Sequence, residues 1–90
     1  MNKGTFRLDS YDEGGLKGNL DALRLVCNIE DGGKLVLWGK YGATQNIDIV
    51  LKAGLPCTIE CYYQSPNEIH AQKYGHTHWV REDYDVKVIE

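Results

Sequence analysis

Proline is scarce in this sequence, with two residues among 90, so little in the chain interrupts a strand ladder. Positive charge is in the minority. Ten Lys and Arg face thirteen Asp and Glu, for a net charge of −3. That balance excludes a protein held to nucleic acid or membrane by global charge alone, so any phosphate-binding surface has to be local. Long apolar runs are missing, and no stretch is fit to span a bilayer. The opening residues Met1-Asn2-Lys3-Gly4-Thr5-Phe6-Arg7 carry charges where a secretory signal carries an apolar run. The expectation is a cytoplasmic protein away from membranes. Cysteine is limited to Cys27, Cys57 and Cys61, an odd number set inside apolar runs. They read as buried free thiols of a reducing compartment rather than as a disulfide framework.

Catalytic signatures are equally sparse. There is no glycine-rich phosphate loop and no nucleophile elbow. A Cys–His nucleophile needs an exposed thiol, and all three cysteines fall on apolar faces. The acidic pairs Asp12-Glu13, Glu30-Asp31 and Glu82-Asp83 fall at turns, where solvated charge is expected. The chain is therefore read as a binding or assembly protein, not an enzyme, with no cofactor.

Glycine is plentiful, with 10 residues, and hydrophobic residues make up 42%. Tight turns between uninterrupted strands produce that composition, and the length fits one all-β domain over residues 1–90. Strand alternation begins at residues 5–11, and Asp12-Glu13-Gly14-Gly15 is expected to break it. Residues 16–21 read as a loop or a bulged continuation. The clearest strand covers residues 22–30, with Leu23, Leu25, Cys27 and Ile29 on one face and Arg24, Val26, Asn28 and Glu30 on the other. Asp31-Gly32-Gly33 forms the turn into residues 34–38, where Leu35 and Leu37 oppose Val36 and Trp38. A short helix follows. Thr44 or Asn46 is its candidate cap, Ile47, Val50 and Leu51 are its apolar stripe, and Gly54 is its end. Residues 57–63 alternate again. Residues 65–68 form a turn, residues 69–80 are irregular, and Tyr84, Val86 and Val88 alternate in a last strand over residues 84–89. The order is β-β-β-α-β-β, that of a small five-stranded OB-type barrel with one short helix between strands three and four.

Particular residues carry a family likeness. Glu30-Asp31-Gly32-Gly33-Lys34-Leu35-Val36-Leu37-Trp38-Gly39 resembles the second hairpin of OB domains in the replication protein A group, where an acidic-glycine turn leads to a strand ending in tryptophan-glycine. Asn46-Ile47 to Ala53-Gly54, then Pro56 to Tyr63, is similar to that group's helix, glycine turn and fourth strand. The resemblance implies binding of single-stranded DNA or RNA, or the holding together of subunits. The chain departs from the binders in its acidic balance and in lacking a basic tail.

Single-strand binders offer flat rings because every base has a π-face. If Leu35 and Leu37 face the core, Trp38 faces outward beside Arg24 and Asn28, bracketed by Lys34 and Lys40, with Tyr41 beyond. The competing arrangement lays Trp38 beneath the helix or the long loop. Lys73-Tyr74-Gly75-His76-Thr77-His78-Trp79-Val80-Arg81 gathers aromatics and cations around a glycine. As a nucleic-acid finger it would stack Tyr74 and Trp79 and meet phosphate through Lys73 and Arg81; otherwise it is an extra hairpin whose Trp79 caps the barrel. His76 and His78 share a strand face and invite a metal reading, but two ligands leave the set incomplete, and Cys57 and Cys61 are roughly 13 Å apart along a strand. No metal site is expected. Two alternatives to nucleic-acid binding remain: a protein-interaction or self-assembly module, and a metal-dependent role for the histidines.

Overall fold

The computed structural model describes residues 2–19, 21–65 and 78–89. Within them six strands and one helix follow in the order β1 (Asn2–Gly18), β2 (Ala22–Ile29), β3 (Lys34–Lys40), α1 (Gln45–Ala53), β4 (Cys57–Tyr63), β5 (His78–Val80) and β6 (Val86–Val88). The strands form one mostly antiparallel sheet in the order β5-β3-β2-β1-β4-β6. The expected helix lies between the third and fourth strands. The chain is mostly β with one short helix, and where a five-stranded OB-type barrel was expected the sheet has six strands and is not closed. The additional strand is β5, which pairs parallel with β3. Among the described residues, no helix is long and apolar enough to cross a membrane.

β1 is one long strand, not a strand broken at Asp12-Glu13-Gly14-Gly15. Its first half pairs with β4, from Asn2↔Tyr63 to Leu8↔Cys57, and its second half pairs with β2. Tyr11 stands opposite Cys27 and Leu16 opposite Leu25, so residues 12–15 bulge outward across from Val26 alone. A bulge bends a strand without ending its ladder, which lets one segment serve two partners.

The core gathers inward-pointing residues from every element. Leu8, Leu25, Leu35, Leu37, Ile59 and Val80 are fully buried there, joined by Ile47 and Val50 from α1 and by Tyr84 and Val86 near the last strand. All three cysteines are buried and unbridged. Burial pushes the thiols of Cys27 and Cys61 up to about 12, so neither carries the thiolate that thiol chemistry needs.

The helix departs from expectation at two positions. Thr44 is the N-cap, but its hydroxyl donates to Asp48 rather than capping the backbone. Leu51, expected in the apolar stripe, is 43% exposed, and the buried face is Asn46, Ile47 and Val50. Asn46 instead spends its amide on the carbonyls of Arg81 and Tyr84, tying the helix to the connection between β5 and β6.

Candidate nucleic-acid interface

Cross-strand register sorts the two faces of the β2–β3 hairpin. Leu25 opposes Leu37 and Cys27 opposes Leu35, and all four lie in the core. Arg24 opposes Trp38, Val26 opposes Val36, Asn28 opposes Lys34 and Ala22 opposes Lys40 on the other face. Trp38 therefore points away from the face that packs against α1. β5 adds Trp79 opposite Val36. The two indole rings meet with centroids 5.5 Å apart and planes inclined at 50°. Val26 and Val36 are fully buried although they lie outside the core cluster. The register surrounds them with Arg24, Asn28, Lys34, Trp38 and Trp79.

Charge on this face is denser and better organised than the strand pattern implies. Lys17 stands opposite Arg24, which brings a further cation to the set Arg24, Lys34 and Lys40. Asp12 offsets part of it. Its carboxylate accepts from Lys34 Nζ at 2.7 Å and from Lys17 Nζ at 3.5 Å. The Lys34 hydrogen bond holds the Asp12 carboxyl below its ordinary range. Asp12 is thus part of a network, not the solvated turn charge expected. Lys34 also donates to Asn28 Oδ1 at 3.2 Å, and Asn28 Nδ2 donates to Ser10 Oγ at 3.1 Å. Sequence spacing missed Lys17 and Asp12 because their place depends on the bulge between them. Arg24 Nε is buried with no hydrogen-bond partner among the described residues.

The remaining candidates are more scattered. Lys40 Nζ lies 5.2 Å from the ring centroid of Tyr41, which is 75% exposed. Arg81 is turned to other partners: its Nε is 3.4 Å from Asp83 Oδ1, and its guanidinium lies over the ring of Tyr84, a core residue. Lys73, Tyr74 and His76 lie outside the described residues, as do the turn and most of the irregular segment expected over residues 65–80.

His78 belongs to an aromatic cluster on another part of the sheet. Its ring is 4.7 Å from that of Phe6 and 4.9 Å from that of Tyr63, and those two meet edge-on at 5.1 Å. No group of three His, Cys, Asp or Glu side chains able to hold a metal occurs among the described residues. Burial lowers the His78 pKa below 6.5, and Asp31 opposes the shift. The unfolded chain therefore binds this proton more readily than the folded one. The stabilisation is present above about pH 6.5 and is lost as pH falls through the lower folded value. Thermal melts at pH 7.5 and pH 5 are expected to show a lower Tm in acid, with a slope under about 1.4 kcal/mol per pH unit, the limit for one proton. The difference should shrink in His78→Phe. An equal difference in that variant would place the responsible proton elsewhere.

A groove of about 300 Å³ runs between Thr5, Phe6 and Arg7 of β1 and Ile29, Glu30 and Asp31 at the β2–β3 turn. Its single cation is matched by two acids, which does not favour phosphate. No protein-family model, curated protein or solved structure matches the chain.

Proposed function

We propose that this chain is an OB-type module that binds single-stranded nucleic acid, DNA or RNA, without catalysis. The observation that carries the proposal is the Trp38–Trp79 pair of β3 and β5, seated beside Arg24 of β2 and among Lys17 of β1 and Lys34 and Lys40 of β3. The rings are already in contact, so a base stacks on the outside of the pair rather than between its members. Stacking is indifferent to base identity and is worth about 1–3 kcal/mol per base. The OB part of the reading draws on the helix between β3 and β4, on the two partners of β1 and on the parallel β3–β5 pair. It also draws on a single antiparallel bridge, Gln64↔Trp79, where the segment after β4 meets β5.

The acidic balance sets the character of the binding. Asp12 already occupies Lys34, so few cations are left to displace counterions. With two or three phosphates neutralised, log K should fall with log salt at a slope near −1.4 to −2.1 for a single strand, shallow for such a protein.

Titration of tryptophan fluorescence with mixed-sequence oligonucleotides at low salt tests the proposal. Quenching with saturation is expected, and Trp38→Ala should weaken binding roughly five- to tenfold. Absence of quenching by either DNA or RNA up to high micromolar concentration would reject the proposal in favour of a protein-interaction role.

A further inference from the structure

Tyr41 occupies a position that folding alone does not favour. Tyr41 and Gly42 are the two central residues of a turn with φ of +50° and +82°, the left-handed pattern of a type I′ hairpin. The turn is closed by the Ala43 N–H donating to the Lys40 carbonyl at 2.9 Å, and the Tyr41 N–H donates to the Asp21 carbonyl at 2.9 Å. Asparagine, aspartate or glycine is the residue such a first position prefers. A tyrosine there adopts the left-handed region at the expense of a Cβ clash. The ring does not recover this through packing. It is 75% exposed and enters no aromatic pair among the described residues.

Its place in the sheet supplies a use. Lys40 follows Trp38 by two residues and so shares its face, and the Lys40 ammonium lies over one side of the Tyr41 ring. The residue as a whole is 75% exposed. Tyr41 directly follows Lys40, the last residue of β3, which places it in the turn at the end of the strand that carries Trp38. We infer that Tyr41 is a second stacking platform for a single strand of nucleic acid, held outward by the turn and flanked by Lys40 for the adjoining phosphate. The inference rests on the function proposed above and extends it to a directional track from the indole pair to the turn.

The combination of strain and exposure makes an unusual forecast: removing the ring should improve the fold and impair binding. In Tyr41→Asn the turn keeps its geometry with a residue suited to it, and Tm is expected to rise by about 2–5 °C. Affinity for an oligothymidylate of about eight residues, the scale of one OB site, should fall about fivefold or more. Tyr41→Phe keeps the ring and should bind as the parent does. Undiminished affinity in Tyr41→Asn overturns the inference while leaving the Trp38 result standing. A fall in Tm with the fall in affinity overturns it too, because the ring would then be structural. Failure of the unaltered protein to bind any oligonucleotide removes the underlying function and the inference together.

Discussion

Substituting aspartate for Asn46 is expected to destabilise the fold at neutral pH by about 2–4 kcal/mol, although the side chain barely changes shape. Asn46 lies in the first turn of α1 and is 2% exposed. Its Nδ2 faces three carbonyls of the β5–β6 connection: Arg81 at 3.1 Å, Tyr84 in close contact and Glu82 at 3.5 Å. Three acceptors around one nitrogen fix the orientation of the amide. In Asn46→Asp an acceptor replaces the donor, the Tyr84 carbonyl loses the amide it accepts from, and a carboxylate faces the negative ends of the Arg81 and Glu82 carbonyls, which keep the Tyr84 N–H and the Gln45 amide as donors. The new carboxyl should therefore have a raised pKa. The sign follows from linkage: the folded variant holds its proton where the unfolded chain has released it. Its stability should then fall as pH rises above about 4, opposite to the His78 contribution. Urea denaturation at pH 5 and pH 7.5 measures both effects. A loss under 1 kcal/mol at pH 7.5 would show that the connection does not depend on this amide.

The consequence reaches the candidate site through β5. That strand has only three residues, His78–Val80, and each is held by something distant in sequence. His78 packs with Phe6 and Tyr63, Trp79 packs against Trp38, and Val80 enters the core. Gln64 exchanges two backbone hydrogen bonds with Trp79, at 2.7 and 2.8 Å. Immediately after Val80 the chain meets Asn46. Weakening that anchor should loosen the segment that carries Trp79 and so degrade the indole pair before it degrades the β2–β3 hairpin.

What was legible in the sequence was local. Alternation through Leu25, Cys27, Leu35 and Leu37 identified the inward face of the hairpin, and by elimination the outward placement of Trp38, Arg24 and Asn28. The Asp31-Gly32-Gly33 turn is consistent with the observed register, and residues 57–63 form β4 as expected. What was not legible depends on partners far along the chain. Nothing in Asp12-Glu13-Gly14-Gly15 distinguishes a bulge from a break; the ladder to β2 on either side decides it. The Asp12–Lys34 pair spans 22 residues and is invisible to spacing. The triplet His78–Val80 has too few residues to show a period, and its strand character comes from pairing with β3. Leu51 matched the helical stripe, yet α1 turns its Asn46–Ile47–Val50 side inward because the carbonyls of residues 81–84 capture Asn46. A buried amide outweighed a hydrophobic position, as the cost of leaving such carbonyls unpaired allows.

The largest loss of stability is expected from the smallest substitution, Gly18→Ala. Gly18 closes β1 at φ +117°, and a Cβ built there would stand 2.1 Å from the carbonyl oxygen of Ala22 and 3.1 Å from Leu23 Cα. The obstruction is backbone, so no side chain can swing aside to relieve it. The approach is close because the turn is tightly bonded. The Asn19 N–H donates to the Ala22 carbonyl at 3.0 Å, and Asn19 Oδ1 accepts from the N–H groups of Asp21 and Ala22 at 2.9 and 3.2 Å. An added methyl must pull the two strands apart where Gly18 pairs with Leu23 and Lys17 pairs with Arg24. Strained backbone accounts for about 1–3 kcal/mol, and the clash adds to it, for an expected loss above about 3 kcal/mol. Gly32→Ala is the internal control. Its φ of +90° carries the same kind of conformational penalty, but no atom lies within 4 Å of the new Cβ, so a loss of about 1 kcal/mol is expected. Denaturant titration of the two variants separates strain from collision. Equal losses would mean that the hairpin end can open without harm. A much larger loss in Gly18→Ala, accompanied by weaker oligonucleotide binding in whatever fraction still folds, would tie the Lys17–Arg24 corner of the candidate interface to the closeness of this turn.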